Sequence, residues 1–336
     1  MLRHMNSKKR ILSGVQPTGK LHIGNYVGAL ANWVELQHQY ESFHCVVDWH
    51  SLTVTYDQTE RIADDTLEVF IDLLAIGLDP SKATIFLQSM VPEHAELHLL
   101  LSMLITLGRL ERNPTFKERV KDLDLRGEVS YGHLGYPVLQ AADILIYRAH
   151  AVPVGEDQAP HLELTRELAR KFNTTYAEIF PEPNTLLTPF PRVPGPDGRK
   201  MSKSLGNHIL MSDEPDVVLK KVMSAITDPE KIRKDDPGNP DICNVYAWHI
   251  IFSSDQVESI SATCRSGERG CVMCKQEAAA AIADHFGAFR EERKRLEEDP
   301  DTVRDVIITG TNRASEVAQE TMELVRDSMG LLRPGA

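Results

Sequence analysis

The chain has 336 residues, a formal net charge of −12, and 42% hydrophobic against 26% charged residues. This length accommodates two domains, and the acidic balance argues against binding nucleic acid by bulk charge, because neutralising phosphates needs Lys and Arg. No low-complexity tract or internal repeat is present, and the most apolar stretch, Leu97 to Leu107, contains His98 and is too short to span a bilayer.

Met1 to Arg10 is basic but has no apolar core or small-residue cleavage site, so no secretory signal and a cytoplasmic location are expected. Ile11 to Val15 reads as a strand, followed by a polar helical pattern over Asn25 to Tyr40. A second strand is expected at Phe43 to Asp48, a helix at Asp57 to Ile76, a strand at Thr84 to Gln88 and a helix at His94 to Leu107. Helices around Val138 to Tyr147 and at Pro160 to Phe172 flank a strand at Ala151 to Gly155. This alternation predicts an α/β fold, a Rossmann-like parallel sheet with helices on its faces, and gathers the strand ends carrying Gly14, Asp48 and Gly155 at the edge where such sheets bind ligands. From Thr185 to Gly198 proline and glycine mark a connection. Beyond Gly206 helical periodicity dominates, at Asp216 to Ala225, Glu277 to Glu298 and Ser315 to Met329. The expected division is 1–205 for the nucleotide-binding domain and 206–336 for a smaller helical domain, whose last helix can pack back on the first.

Two motifs make chemical sense together. His22-Ile23-Gly24-Asn25 would bring backbone N–H groups and an imidazole to phosphates at a helix start, where unpaired donors favour an anion. Lys200-Met201-Ser202-Lys203-Ser204 adds two ammonium groups and hydroxyl donors in a loop bracketed by Gly198 and Gly206. The pair reads as the two jaws of an ATP site, with Gly24 lacking the Cβ that would hold a nucleotide off the main chain. Gly14-x-x-x-x-Gly19-Lys20 imitates a phosphate loop, but Leu21 stands where that motif needs a hydroxyl for Mg²⁺.

Read with Ser13-Gly14-Val15-Gln16-Pro17-Thr18-Gly19 and Gly155-Glu156-Asp157-Gln158, these motifs resemble the class I aminoacyl-tRNA synthetases, and within them the tryptophan branch. The resemblance runs from about Arg10 to the C-terminus. It implies activation of L-tryptophan by ATP with Mg²⁺, transfer to the 3′ end of tRNA(Trp), a helical anticodon-binding domain and a homodimer with no membrane association. A carboxylate is already ionised at neutral pH, so activation needs alignment and charge stabilisation rather than a general base. His22, Gly24, Asn25, Lys200 and Lys203 are expected to act on the phosphates, helped by Met201, Ser202 and Ser204. Gln16 would touch both ligands, Gly155, Glu156 and Asp157 the ribose, and Val193 the adenine. For tryptophan the resemblance implies Gly14, Gln16, His50, Tyr136, Gln140, Asp143 and Gln158, with Asp143 accepting from the indole N–H, because an unpaired buried acceptor discriminates where shape alone is weak. Tyr136, Gln140 and Asp143 lie on one helix face by spacing. Tyr-x-x-x-Gln-x-x-Asp also looks like the tyrosyl pattern; the tryptophan flavour comes from HIGN and from the run after Gly155.

Cys243, Cys264, Cys271 and Cys274 form C-x20-C-x6-C-x2-C, while Cys45 stands apart in a strand as a core residue. Four thiols in so short a span suggest one site. The spacing does not separate Zn²⁺ from an iron–sulfur cubane; the arrangement resembles a subset of the tryptophan enzymes with a [4Fe–4S] cluster beside the anticodon surface. Basic runs at Lys220-Lys221, Lys231 to Lys234 and Arg290 to Arg295 are either RNA-facing or solvated helix faces. Competing readings are a tyrosyl-tRNA synthetase-like enzyme, a nucleotidyltransferase acting on a small precursor, and a non-catalytic tryptophan- or redox-sensing paralogue.

Overall fold

The computed structural model describes residues 8–114, 116–117, 120, 129–155, 159–187 and 193–332. The chain forms two compact units, one of Met1–Gly19, Asn32–Thr188 and Asp299–Ala336, the other of Lys20–Ala31 and Pro189–Glu298. They interleave along the chain: Lys20–Ala31 goes with the later unit and Asp299–Ala336 with the earlier one.

The first unit is built on a parallel sheet of five strands, β1 (Arg10–Val15), β2 (Glu41–Val46), β3 (Ala83–Leu87), β4 (Ala151–Val154) and β5 (Asn184–Leu187), in the order β3-β2-β1-β4-β5. Strands covered on both faces read as unbroken apolar runs, which is why the first four are legible in the sequence. β5 overlaps the start of the stretch expected to be only a connection. It is a four-residue edge strand with no buried residue, so it lacks that signal. The order reverses between β1 and β4, and their C-terminal ends form the crevice where doubly wound sheets bind ligands.

The Tyr131–Ile146 helix begins a full turn and more before the expected start near Val138, and runs through Pro137. Ser130 sets its beginning: the hydroxyl accepts from the His133 N–H at 3.1 Å, satisfying an orphan donor of the first turn. The expected helix from His94 to Leu107 is instead Glu93–Ser102 followed by a short Leu107–Glu111. The C-terminal helix, Pro300–Ser328, contributes Ala314, Ala318, Met322 and Val325 to the core shared with Phe43, Phe86 and Leu145. A Cβ at Gly310 would collide with the carbonyl of Ile85, so glycine lets this helix approach the edge strand β3 backbone to backbone. Cys45 is fully buried in the same core.

The second unit is mainly helical after Pro189. Pro215–Met223, Asn244–Phe252, Val257–Arg265, Cys271–His285 and Gly287–Glu298 pack around Val222, Trp248, Ile282 and Phe286. The expected continuous helix from Glu277 to Glu298 is broken at Phe286, and the pattern starts earlier, at Cys271. Among the described residues no helix is long and apolar enough to cross a membrane.

Candidate active site

In the second unit the two phosphate motifs are laced together by backbone. The Ile23 N–H donates to the Ile209 carbonyl at 3.0 Å and the Met211 N–H to the Leu21 carbonyl at 3.0 Å, so the start of His22-Ile23-Gly24-Asn25 is bridged to the segment that leaves the lysine loop. His22 is the N-cap of a short helical turn. Its Nδ1 accepts from the Asn25 N–H at 3.3 Å, and its own N–H donates to Asn25 Oδ1 at 3.0 Å, a reciprocal box that closes the motif on itself. The turn continues as a π-helical segment, Tyr26–Leu30, a wide turn frequent at functional sites. A Cβ at Gly24 would lie 2.9 Å from the imidazole Nδ1 and 3.6 Å from the Met201 Cβ. Within the protein itself the glycine leaves room for the His22 ring, while the approach to Met201 is ordinary contact.

The lysine loop has its own frame. Asn207, buried and not singled out in the sequence, accepts from the Ser202 N–H at 2.8 Å and donates to Asp197 at 2.7 Å and to the Lys200 carbonyl at 3.2 Å. Gly198 and Gly206 take positive φ, 81° and 64°, and turn the chain on each side. Met201 is buried and its N–H donates to the Val193 carbonyl at 3.3 Å, so that carbonyl is already engaged within the loop. Ser202 and Ser204 share a hydroxyl–hydroxyl bond at 2.8 Å. Lys200 is exposed, Lys203 half-buried. Burial, and then the charges of Lys203, His208 and Lys200, lower the His22 pKa to about 4. The imidazole is therefore neutral at pH 7, in a positive field suited to an anion.

The first unit holds a different kind of site. Asp143, on the Tyr131–Ile146 helix, is buried and accepts at Oδ1 from Gln88 Nε2 (2.8 Å) and His94 Nδ1 (2.6 Å), and at Oδ2 from His50 Nε2 (3.0 Å) and Gln88 Nε2 (2.9 Å). Burial works to raise its pKa, but the bonds and charges of His50 and His94 hold it well below the usual carboxylate range. A carboxylate has about four lone-pair sites, so an indole N–H reaching Asp143 has to displace one of these partners. His94 passes the network on through Nε2 to the Tyr147 hydroxyl at 2.7 Å. Asp48, at the start of the Asp48–Thr55 helix, accepts from the N–H groups of Trp49 (3.1 Å) and Ser89 (3.0 Å), joining the turns after β2 and β3. Gln88 and His94 escape sequence reading because each is an ordinary polar residue at a strand end or in a helix. The adjacent Gln88-Ser89 after an apolar run was the only available signal.

Of the other expected tryptophan residues, Tyr136 is buried with its hydroxyl 2.8 Å from His161 Nε2, a partner not foreseen, and Gln140 is half-buried on the same helix. Gly14 is exposed near the end of β1, where a Cβ would press on Val47 at 3.0 Å. Gln16 is half-buried just beyond β1, and Gly155 follows β4. Glu156, Asp157 and Gln158 lie outside the described residues.

The cysteines of the second unit are free and half-buried. Among the described residues no group of three or more His, Cys, Asp or Glu is arranged to hold a metal ion. Burial, then the neighbouring Cys243, raise Cys264, while Lys231 opposes the shift. Cys274 is pushed up to about 12 by burial and by Cys243, with Arg269 opposing. Burial thus favours the protonated thiols in the free protein, and Lys231 and Arg269 are engaged elsewhere, with the Asp236 carbonyl and with Glu277. His249 Nε2 sits 3.4 Å from Cys274 Sγ. The basic runs are largely engaged: Lys221 pairs with Asp213 (2.6 Å), Arg293 with Glu297 (3.1 Å) and Arg295 with Glu292 (2.6 Å), and Lys231 is buried, donating to the Asp236 carbonyl.

Comparison with known proteins agrees with this picture. The family described as tRNA synthetases class I (W and Y) matches residues 4–287. A tryptophan–tRNA ligase of Thermotoga maritima is 48% identical over 326 residues, spanning 96% of this chain and 99% of that protein. One from Aquifex aeolicus is 43% identical over 393 residues, spanning 96% and 100%. A crystal structure of the Campylobacter jejuni tryptophanyl-tRNA synthetase complexed with ADP and tryptophan is 33% identical with a TM-score of 0.84, covering 96% of this chain and 100% of that one. With a family match over most of its length and relatives this close, the chain belongs to the class I tRNA synthetases for tryptophan and tyrosine.

Proposed function

We infer that this chain is an ATP-dependent tryptophan–tRNA ligase, which joins L-tryptophan to AMP and passes the aminoacyl group to the 3′ end of tRNA(Trp). The observation that carries the reading is the backbone lacing of the two phosphate motifs in one unit, which brings His22 into the field of Lys200 and Lys203. The full-length similarity to tryptophan–tRNA ligases supports the same substrate. The tryptophan carboxylate attacks the α-phosphorus of ATP, the bond to the β-phosphoryl oxygen breaks and pyrophosphate leaves. No proton has to be removed, so the residues act by alignment and by stabilising growing negative charge.

In this proposal His22, Asn25, Lys200 and Lys203 contact the phosphates, with Mg²⁺ sharing their charge, and Gly24 keeps the motif compact. Gln16, Gly155, Glu156, Asp157 and Val193 hold the nucleoside. Gly14, His50, Tyr136, Gln140 and Gln158 surround the amino acid, and Asp143 accepts from the indole, Gln88 and His94 fixing its orientation. The region after 205 would read the anticodon of the tRNA. The enzyme would be cytoplasmic and a homodimer; the exposed apolar side chains Met90, Leu99, Met103 and Leu107 of the first unit support the second of these. For Cys243, Cys264, Cys271 and Cys274 we propose a [4Fe–4S] cluster, supported by four free, half-buried thiols in one helical unit. It would brace the helical unit and take no part in the aminoacylation steps. Zn²⁺ is the alternative occupant.

Tryptophan-dependent exchange of pyrophosphate into ATP tests the function directly. Lys203→Ala is expected to lower that exchange by about 10²–10³-fold, the usual loss for one preorganised charge-stabilising group. Undiminished exchange would remove Lys203 from the phosphate site, and a parent enzyme inert with tryptophan would sink the whole reading. Iron and sulfide analysis of anaerobically prepared protein, with its visible absorbance, decides between the cluster and stoichiometric zinc.

A further inference from the structure

Tyr136 and His161 meet between two helices of the first unit, Tyr136 in the second turn of Tyr131–Ile146 and His161 in the first turn of Ala159–Thr175. The Tyr136 hydroxyl is 2.8 Å from His161 Nε2, the rings stand edge to face with centroids 5.2 Å apart, and the residues are only 3% and 2% exposed. Such a pair admits two polarities. Either the tyrosine O–H donates to a bare Nε2, the ring proton being on Nδ1, or an Nε2–H donates to the tyrosine oxygen and the phenol proton turns to another acceptor.

The substrate chooses between them. Tyr136 and Asp143 share one face of their helix, about 10 Å apart along its axis, a span that one amino acid can bridge when its indole N–H is held by Asp143. The other end of that amino acid carries an α-ammonium group, which donates hydrogen bonds and accepts none. A phenol that points its own proton at the ammonium repels it. A phenol whose proton is committed to an imidazole presents a lone pair instead.

We infer that His161 is a positioning residue for tryptophan: its Nε2 takes the proton of Tyr136, so that the Tyr136 oxygen becomes an acceptor for the α-ammonium of the substrate. This rests on the tryptophan–tRNA ligase reading and adds to it a residue that acts through Tyr136. The same bond also staples two helices together, and a staple alone would serve with either polarity and would show no preference among ligands of the pocket.

The test uses two ligands that differ only at the ammonium group, tryptophan and indole-3-propionate, titrated calorimetrically into the parent, His161→Leu, His161→Gln and Tyr136→Phe. His161→Leu removes the acceptor but leaves in place the bond from the Thr165 hydroxyl to the carbonyl of residue 161. Tryptophan should bind that variant about tenfold more weakly, the scale of one hydrogen bond to a charged group, while indole-3-propionate stays within about twofold of the parent. Gln at this position offers an amide oxygen to the phenol proton, so His161→Gln should bring tryptophan back to within about threefold. Tyr136→Phe should lose as much tryptophan affinity as His161→Leu, and combining the two should cost nothing more. In pyrophosphate exchange the loss should fall on KM for tryptophan rather than on kcat. Equal weakening of both ligands in His161→Leu would reveal a plain staple and overturn the proposal; so would unaltered tryptophan binding, failure of Gln to restore it, or losses that add in the double variant. A parent without any exchange would instead strike the ligase reading, while the two binding constants still judge His161, which keeps the failures distinct.

Discussion

The Asp143 network and the His22–Lys203 region satisfy their polar groups in opposite ways. Around Asp143 every carboxylate lone pair has a donor and the whole set is buried, so the acceptor is oriented before any ligand arrives. Around His22 the backbone is tied down, the charges of Lys203, His208 and Lys200 act on one imidazole, and glycines with positive φ turn the loop. The difference follows from the task. Discrimination between side chains rewards a rigid, desolvated acceptor, whereas phosphates bring their own charge and a loop holding them must also release pyrophosphate.

This contrast breaks first at Asp143. Replacing it by Ala strands Gln88, His94 and His50 in the core, and each buried donor left unsatisfied is expected to cost about 1–3 kcal/mol of stability. Thermal denaturation and tryptophan activation should both suffer. Full stability in that variant would mean that the network is ornamental.

A smaller effect is expected in the lysine loop. Asn207→Ala removes the acceptor of the Ser202 N–H and the donor to Asp197 and Lys200, at about 1–3 kcal/mol for the groups left unsatisfied. Because the loss is local, KM for ATP in the exchange reaction should rise by about tenfold, with little change in melting temperature. A large fall in melting temperature with KM unaltered would show that the loop frame serves the fold and not the nucleotide.

The smallest effect is a titration. His22 has its pKa lowered to about 4, against about 6.5 for an unfolded imidazole. Between those values the unfolded chain binds the proton and the folded one does not, so this group's contribution to stability is present above about pH 6.5 and is lost as the pH falls toward 4. If phosphates lie beside the ring, their charge raises its pKa and ATP binding takes up a proton within that window. Calorimetry at pH 5.5 in buffers of different ionisation enthalpy measures the uptake, which His22→Gln should abolish. Equal uptake by parent and variant would remove His22 from the phosphate site.

Much of the fold and part of the site were legible in the linear chain, for local reasons. Ile11 to Val15 and Thr84 to Gln88 announce buried parallel strands because both their faces are covered. The exposed β5 announces nothing, and Pro137 hides a helix start that Ser130 secures. His22-Ile23-Gly24-Asn25 and Lys200 to Ser204 are recognisable because a phosphate needs several donor types close together in sequence. Gln88, His94 and Asn207 were not, since their importance lies only in what they meet.

The amino-acid sequence by itself determined the alternation of strands and helices, the two phosphate motifs, the four-cysteine pattern and the family. Periodicity, turn chemistry and closely spaced donors are properties of neighbours along the chain. Tertiary structure alone decided that Asp143 would be enclosed by Gln88, His50 and His94, and that His22 would share a field with Lys203. Those are meetings between distant residues, set by strand order and packing, and no local pattern encodes them.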